Sequence, residues 1–327
     1  MLESVWRMIR RIMKNSRRTL KIMGGAVIAA AVAVTAGLWY CKEKEIEPSA
    51  IPELIETQDE ETDGNLRLYF MDVGQGSAAL AKLNGKSMLI DGGGPETAAS
   101  LLDYLKDSHV EQLDYILVTS YDEDHLAGVV EVLKTYPVSS ILAPASAGEG
   151  GLYEEYEQLV EEKKIEVRHP QFGETYTFAN TFLNIAGPVE YGHADREDDS
   201  LCVRLHYGDT NFLFGGDTRM QGEAEIAQAA LETPEVSLES DVYVMNAHGA
   251  SDASTEEFLK MVRPEYAVLS CGGENGTDEP SEEVMERLEA KKIKLFRTDV
   301  QGTIEAVSDG SVLIWNSKPC NDYAGQE

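Results

Sequence analysis

The 327-residue chain is 43% hydrophobic and carries 58 acidic against 28 basic side chains, a formal charge of −30 at pH 7. That length and apolar content support one large core or two small ones and exclude a wholly disordered chain. The acidity counts against an extended nucleic-acid track, whose phosphate contacts need clustered Lys and Arg, and four cysteines without metal-knuckle spacing give no disulfide or thiolate framework.

The first 40 residues differ from the rest. Residues 1–21 hold seven Lys or Arg and one acid, Glu3, and read as a basic cytoplasmic tail. Residues 22–40, "IMGGAVIAAAVAVTAGLWY", run 19 positions without a charge. As a helix that is about 28 Å, enough for one transmembrane anchor. Trp39 and Tyr40 suit the membrane interface. A cleaved signal peptide is the alternative, with "VTAG" (34–37) as the processing site and a secreted product. Leu38, Trp39 and Tyr40 are too bulky for lipoprotein processing at Cys41. Residues 41–64 are acidic, contain two prolines and read as a solvated linker.

A single domain is expected over 65–318, with a polar tail at 319–327. It holds 19 basic and, with the tail, 48 acidic residues, a charge near −29. Strands are predicted at 66–73, 77–83, 87–91 and 114–120, with helices at 96–107 and 124–136. A strand "SSILAP", a helix "LYEEYEQLVEEKK" and four extended runs to residue 216 follow, the last a hairpin turning at Gly208–Asp209. The final third alternates again: a helix near 220–231, a strand at 241–247, and a helix opening with a Ser254/Glu257 capping box. A strand at 266–271, a helix at 281–292 and the strands "IKLFRT", "GTIEAV" and "SVLIW" close the domain. Strands as a meander, then interleaved with helices, twice over, predict two face-to-face sheets with helices outside. Cys202 and Cys271 sit in apolar runs and are expected in the core.

Acids and a histidine recur where strands end beside glycine: Asp72, Asp91, Asp217 in "LFGGD" and His248 in "VMNAHGA". "TSYDEDHLAG" adds Asp122, Asp124 and His125 just after the run "LDYILV". If those ends share one edge, Asp122, Asp124, His125, Asp217 and His248 form an O/N ligand set suited to a divalent metal such as Zn or Mn. Each alone has a plain reading: "DEDH" as an acidic helix start, "GD" as a turn, His248 as a hydrogen-bonded structural histidine. Their order and common placement favour the metal reading. His193, in "YGHADREDD", is either a solvated loop residue or a recruited ligand.

Six stretches in order carry a family resemblance: "MDVGQGSAAL", "LIDGGG", "ILVTSYDEDHLAG", "DDSLCVRLHYGDTNFLFGGD", "AHGASDASTEEFL" and "RTDVQGTIEAVSDG". Over about residues 66–315 the chain resembles the metallo-β-lactamase-fold hydrolase domain of the ComEC competence proteins and their stand-alone relatives. The resemblance implies an αββα sandwich, here preceded by one transmembrane helix, and a metal-dependent phosphodiesterase-like or nuclease-like hydrolase facing outside the cytoplasmic membrane. It implies ligand roles for Asp122, Asp124, His125, Asp217 and His248, with Asp122 and Asp124 at the chemistry. The pattern departs at four positions: Ser120, Ala247 and Glu279 stand where the family has histidine, and Ser77 where it has an acid. One metal position would keep Asp122 and a share of Asp217; the other would keep Asp124, His125, Asp217 and His248. One ion, acting on a small ester or phosphodiester, is therefore expected. A catalytically reduced envelope binding or scaffolding protein is the alternative.

Overall fold

The computed structural model describes residues 63–272 and 279–325. The basic tail, the anchor or signal at 22–40 and nearly all of the 41–64 linker lie outside the described residues. Among the described residues no helix is long and apolar enough to cross a membrane.

The strands, in chain order, are β1 (Leu66–Phe70), β2 (Ala79–Leu83), β3 (Lys86–Ile90), β4 (Leu113–Leu117), β5 (Val138–Leu142), β6 (Glu166–Arg168), β7 (Thr175–Phe178) and β8 (Thr181–Gly187). There follow β9 (Cys202–Tyr207), β10 (Thr210–Phe214), β11 (Val242–Val244), β12 (Tyr266–Leu269), β13 (Lys294–Arg297), β14 (Ile304–Ser308) and β15 (Leu313–Trp315). The helices are α1 (Ala98–Asp107), α2 (Glu123–Thr135), α3 (Gly150–Lys163), α4 (Met220–Glu232), α5 (Glu256–Val262), α6 (Glu282–Lys291) and α7 (Thr298–Gln301). One sheet runs β15-β14-β1-β2-β3-β4-β5-β6, the other β13-β12-β11-β10-β9-β8-β7.

Alternation along the strands builds three apolar layers. Leu66, Leu68 and Phe70 of β1 and Met88 and Ile90 of β3 face Leu183, Val203 and Phe212 of the second sheet. Their neighbours Leu80 and Leu89 point the other way, onto Leu101 and Leu105 of α1 and Leu126 and Leu133 of α2. On the far side, Leu213 and Tyr243 pack against Ile226 of α4, Phe258 of α5 and Leu288 of α6. Strands buried on both faces explain the near-continuous apolar runs of the sequence. This is the two-sheet αββα architecture that the alternating pattern predicts, and Cys202 and Cys271 are fully buried in it.

Two expectations shift. The α5 cap is Thr255, whose hydroxyl accepts from the Phe258 amide at 3.3 Å. Ser254 is diverted because its hydroxyl meets the Tyr243 hydroxyl at 2.9 Å and its amide donates to Glu223. The segment expected as a polar tail is tied back instead: the Asn321 amide donates to the Leu295 carbonyl, and Arg297 donates to the Ala324 carbonyl at 2.7 Å.

The turn leaving β3 lies directly on α2. The Gly92 amide donates to the His125 carbonyl at 2.8 Å, and the Gly128 amide to the Gly93 carbonyl at 3.1 Å. A Cβ on Gly128 would overlap the Gly92 carbonyl oxygen. Gly128→Ala in a helix ordinarily stabilises by up to about 1 kcal/mol. Here it should destabilise by about 2–3 kcal/mol through overpacking. Equilibrium urea unfolding checks the sign.

Candidate metal centre

The parallel strands set the site. β3 pairs parallel with β4, and β10, β11 and β12 run parallel, so their carboxyl ends open on common edges. Such edges are where α/β sheets place ligands. Asp91 follows β3, Asp122 to His125 follow β4, Asp217 follows β10, and His248 and Ser270 follow β11 and β12.

Asp124, His125 and His248 converge, with one ligand atom from each within 4.8 Å of the others. Asp217 joins them: its carboxylate is 2.9–3.0 Å from His125 Nε2 and 3.6 Å from His248 Nε2. Asp124 and His125 stand in the first turn of α2, with Asp122 as the N-cap. Asp122 also has a partner of its own. Its Oδ2 accepts from the Ser120 hydroxyl at 3.2 Å, and its amide donates to Ser120 Oγ at 3.2 Å. Where the family pattern has a histidine, Ser120 therefore spends its hydroxyl on Asp122. His193 is held between Asp199 at 2.6 Å and Glu225 at 2.9 Å, on the loop before β9, and is not one of the converging residues.

Both histidines use Nδ1 outward and keep Nε2 for the cleft. His248 Nδ1 contacts the Ser270 carbonyl at 2.9 Å, so Nδ1 carries a proton and donates there; in the neutral ring Nε2 keeps its lone pair. That Nε2 is buried without a hydrogen-bond partner, 3.3 Å from Asp124 Oδ2. His248 is presented by a tight turn, Asn246–Gly249, in which Ala247 and His248 both adopt positive φ (44° and 50°). Two consecutive non-glycine residues in that region are strained, and they hold the ring in one orientation.

His125 Nδ1 lies 2.9 Å from Asp91 Oδ2. Asp91 is 1% exposed, has φ +55°, and accepts also from the Thr119 amide at 2.7 Å and the Thr119 hydroxyl at 2.6 Å. Carboxylate–histidine pairs of this kind fix the tautomer and raise the basicity of a metal-ligating imidazole. The sequence marks Asp91 as a strand-terminal acid, yet its partner His125 lies 34 residues on, so the pairing is invisible before folding.

Electrostatically the cluster calls for a cation. Burial opposes charge on both rings, but Asp217 and Asp91 push His125 well above its usual value, and Asp124 and Asp217 raise His248. Burial likewise opposes charge on Asp124 and Asp217, but the neighbouring histidines hold both below the ordinary carboxylate range. Asp122 moves the opposite way, raised by burial and by the Asp217 charge. Two imidazoles and two carboxylates, with one lone pair unpartnered, form a donor set that fits a borderline divalent ion.

Asp91→Asn should weaken that set without touching it. The amide can no longer accept from both Thr119 and the His125 ring, so divalent affinity should fall about 10–100-fold. Competitive titration against a chromophoric chelator measures the loss.

Comparison with known proteins bears on the fold and the family. A sequence model described as the Metallo-beta-lactamase superfamily matches residues 71–273. ComE operon protein 3 of Bacillus subtilis (strain 168) is 24% identical over 253 residues, covering 72% of this chain and 32% of that protein. Competence protein ComA of Neisseria gonorrhoeae is 30% identical over 235 residues, covering 72% and 31%. The chain thus spans about a third of the length of these curated relatives. Among solved structures, Igni18, a metallo hydrolase of Ignicoccus hospitalis KIN4/I, superposes with a TM-score of 0.52 at 17% identity, over 74% of this chain and 98% of that one.

Proposed function

The chain belongs to the metallo-β-lactamase superfamily, and from that premise we propose that it is an extracytoplasmic, membrane-anchored hydrolase of small esters or phosphodiesters, dependent on one divalent ion. The observation carrying this reading is the buried, unpartnered Nε2 of His248 aimed at Asp124 and Asp217. Asp124, His125, Asp217 and His248 would hold the ion, zinc or manganese by donor type. When bound, it would supply Lewis-acid activation of water and of the scissile group.

The chain's own residues supply orientation and proton handling. Asp91 and the Ser270 carbonyl hold the two rings with Nε2 inward. Asp122, its Oδ2 engaged by Ser120, keeps Oδ1 to take a proton, and its raised pKa brings that exchange nearer neutrality. The strongly acidic domain disfavours a long polyanion, so a small substrate fits better than an extended nucleic-acid duplex. Similarity to competence proteins supports placement at the envelope. So does the uncharged run at 22–40 with its basic flank. A reporter fused after Lys318 should be active outside the membrane; activity inside reverses the topology.

One observation favours a second reading, a catalytically reduced binding or scaffolding protein: Ser120, where the family pattern has a histidine, offers no imidazole and bonds instead to Asp122. Metal analysis of the purified full-length chain, with bis(4-nitrophenyl) phosphate turnover, separates the two. About one equivalent with turnover supports the hydrolase. One equivalent without turnover supports the second reading, and no metal after reconstitution sinks the metal centre itself.

A further inference from the structure

Beside the metal centre lies a second, smaller cleft whose walls include Ser120, Asp122, Ser146, Arg196, Asp199 and Ser200. Among the described residues lining it, Arg196 has the only permanent positive charge. The backbone presenting Arg196 is fastened on both sides. Asp195 accepts from the Glu197 amide at 3.2 Å. Asp198 accepts from the Arg219 and Gly222 amides, each at 2.9 Å. Asp199 accepts from the Gly192 amide and the His193 ring. Those bonds aim Asp198 and Asp199 at backbone amides and the His193 ring, and the ion pair of the guanidinium is made elsewhere.

The Arg196 side chain itself is lightly held. Its ion pair is with Glu149 at 3.2 Å, and Glu149 is 80% exposed. An exposed pair of this kind is easily exchanged for a better partner. Donors complete the wall: the Ser200 oxygen accepts from the Asp217 amide, which leaves its proton to give, and Ser146 is half-buried in the same cleft. Ser200 thus links the two clefts through Asp217.

We propose that Arg196, with the Ser146 and Ser200 hydroxyls, forms an anion subsite that binds the non-reacting anionic oxygen of a monoanionic phosphodiester lying across the metal centre. The guanidinium supplies positive charge on the Asp122 side, where Ser120 and Asp122 are tied to each other. The planar guanidinium gives directed, charge-assisted hydrogen bonds to that phosphoryl oxygen. This rests on the reading above only for the class of substrate.

Dimethyl phosphate, a small monoanion, is the probe, titrated calorimetrically into the full-length chain with and without manganese; neutral trimethyl phosphate is the control. Arg196→Gln should weaken dimethyl phosphate binding about tenfold or more, the range for hydrogen bonds to a charged group, and leave trimethyl phosphate binding unchanged. Glu149→Gln, which releases the guanidinium, should strengthen it about twofold. Both positions are exposed, and unchanged melting temperatures will verify the fold. Equal affinity in wild type and Arg196→Gln, or no binding of dimethyl phosphate by the wild type, overturns the subsite. Binding that depends on Arg196 in a chain that hydrolyses nothing upholds the subsite and overturns the hydrolase reading instead.

Discussion

Full-length chain carrying Asp217→Ala should bind zinc or manganese at least about 100-fold more weakly than wild type, and its phosphodiesterase turnover should vanish with the metal. The Asp217 carboxylate lies within 4 Å of both inward-facing imidazole nitrogens, 2.9–3.0 Å from His125 and 3.6 Å from His248. Removing a residue outside the coordination shell already costs 10–100-fold, so loss of a shared carboxylate should cost more. The substitution also takes the counter-charge from the His125 ring, which is completely buried between two acids. Breaking such a pair destabilises the metal-free fold by about 3–5 kcal/mol. Folding must therefore be checked separately, by urea unfolding of the metal-free variant. Asp122→Ala is the informative contrast. Asp122 bonds to Ser120 through Oδ2, and on the single-ion assignment metal affinity should stay within about threefold of wild type while turnover falls by the 10²–10⁴ typical of a lost proton acceptor. If Asp122→Ala loses metal as completely as Asp217→Ala, Asp122 is a ligand and the single-ion assignment fails.

The parts of this molecule legible in its sequence are those set by local periodicity. Alternation in "LRLYF" and the apolar run "LDYIL" mark strands because each buries one or both faces, and the glycines after Asp91 and before Asp217 mark the turns that bring those acids to an edge. The ligand candidates were visible for the same reason, as polar residues just past apolar strands. What stayed hidden is set by contacts remote in the chain. Asp91 could not be joined to His125 before β3 and β4 were known to be parallel neighbours. His248 could not be distinguished from a structural histidine until the Ser270 carbonyl was seen to claim its other nitrogen. Ser254 looked like a cap because the local rule is a good one. It failed where Tyr243 and Glu223, from other elements, outcompeted the helix for its hydroxyl and amide. Arg196 gave no local signal, because its charge matters only beside a cleft built by three separate segments.

Glu223 carries the second large effect, and it acts on the turn that presents His248. Its side chain is fully buried on α4. Oε1 accepts from the Asn246 side-chain amide at 2.8 Å and from the Ser254 amide at 2.6 Å, and Oε2 from the Thr255 amide at 2.7 Å. It thus joins α4, the Asn246–Gly249 turn and the start of α5. Glu223→Ala would orphan three buried donors, each costing about 1–3 kcal/mol, so a loss of about 3–5 kcal/mol is expected after partial relaxation. The same group should impose a pH dependence. Burial, larger than the opposing donation from Thr255, Ser254 and Asn246, pushes its carboxyl from 4.5 up to about 7. Between those values the folded chain holds a proton that the unfolded chain has released, so stability falls as pH rises. The contribution is fully present below pH 4.5 and is lost by about pH 7, roughly 3 kcal/mol in all. Glu223→Gln keeps the shape, cannot titrate, and sets one N–H against the Thr255 amide at every pH. The stability advantage of wild type over Glu223→Gln should therefore shrink steadily from pH 4.5 to 7.5 in urea unfolding. A difference that stays constant, or grows with pH, would show that the three donors hold Glu223 ionised throughout. Glu223 would then be a fixed negative brace for the His248 turn, with no part in the pH dependence of stability.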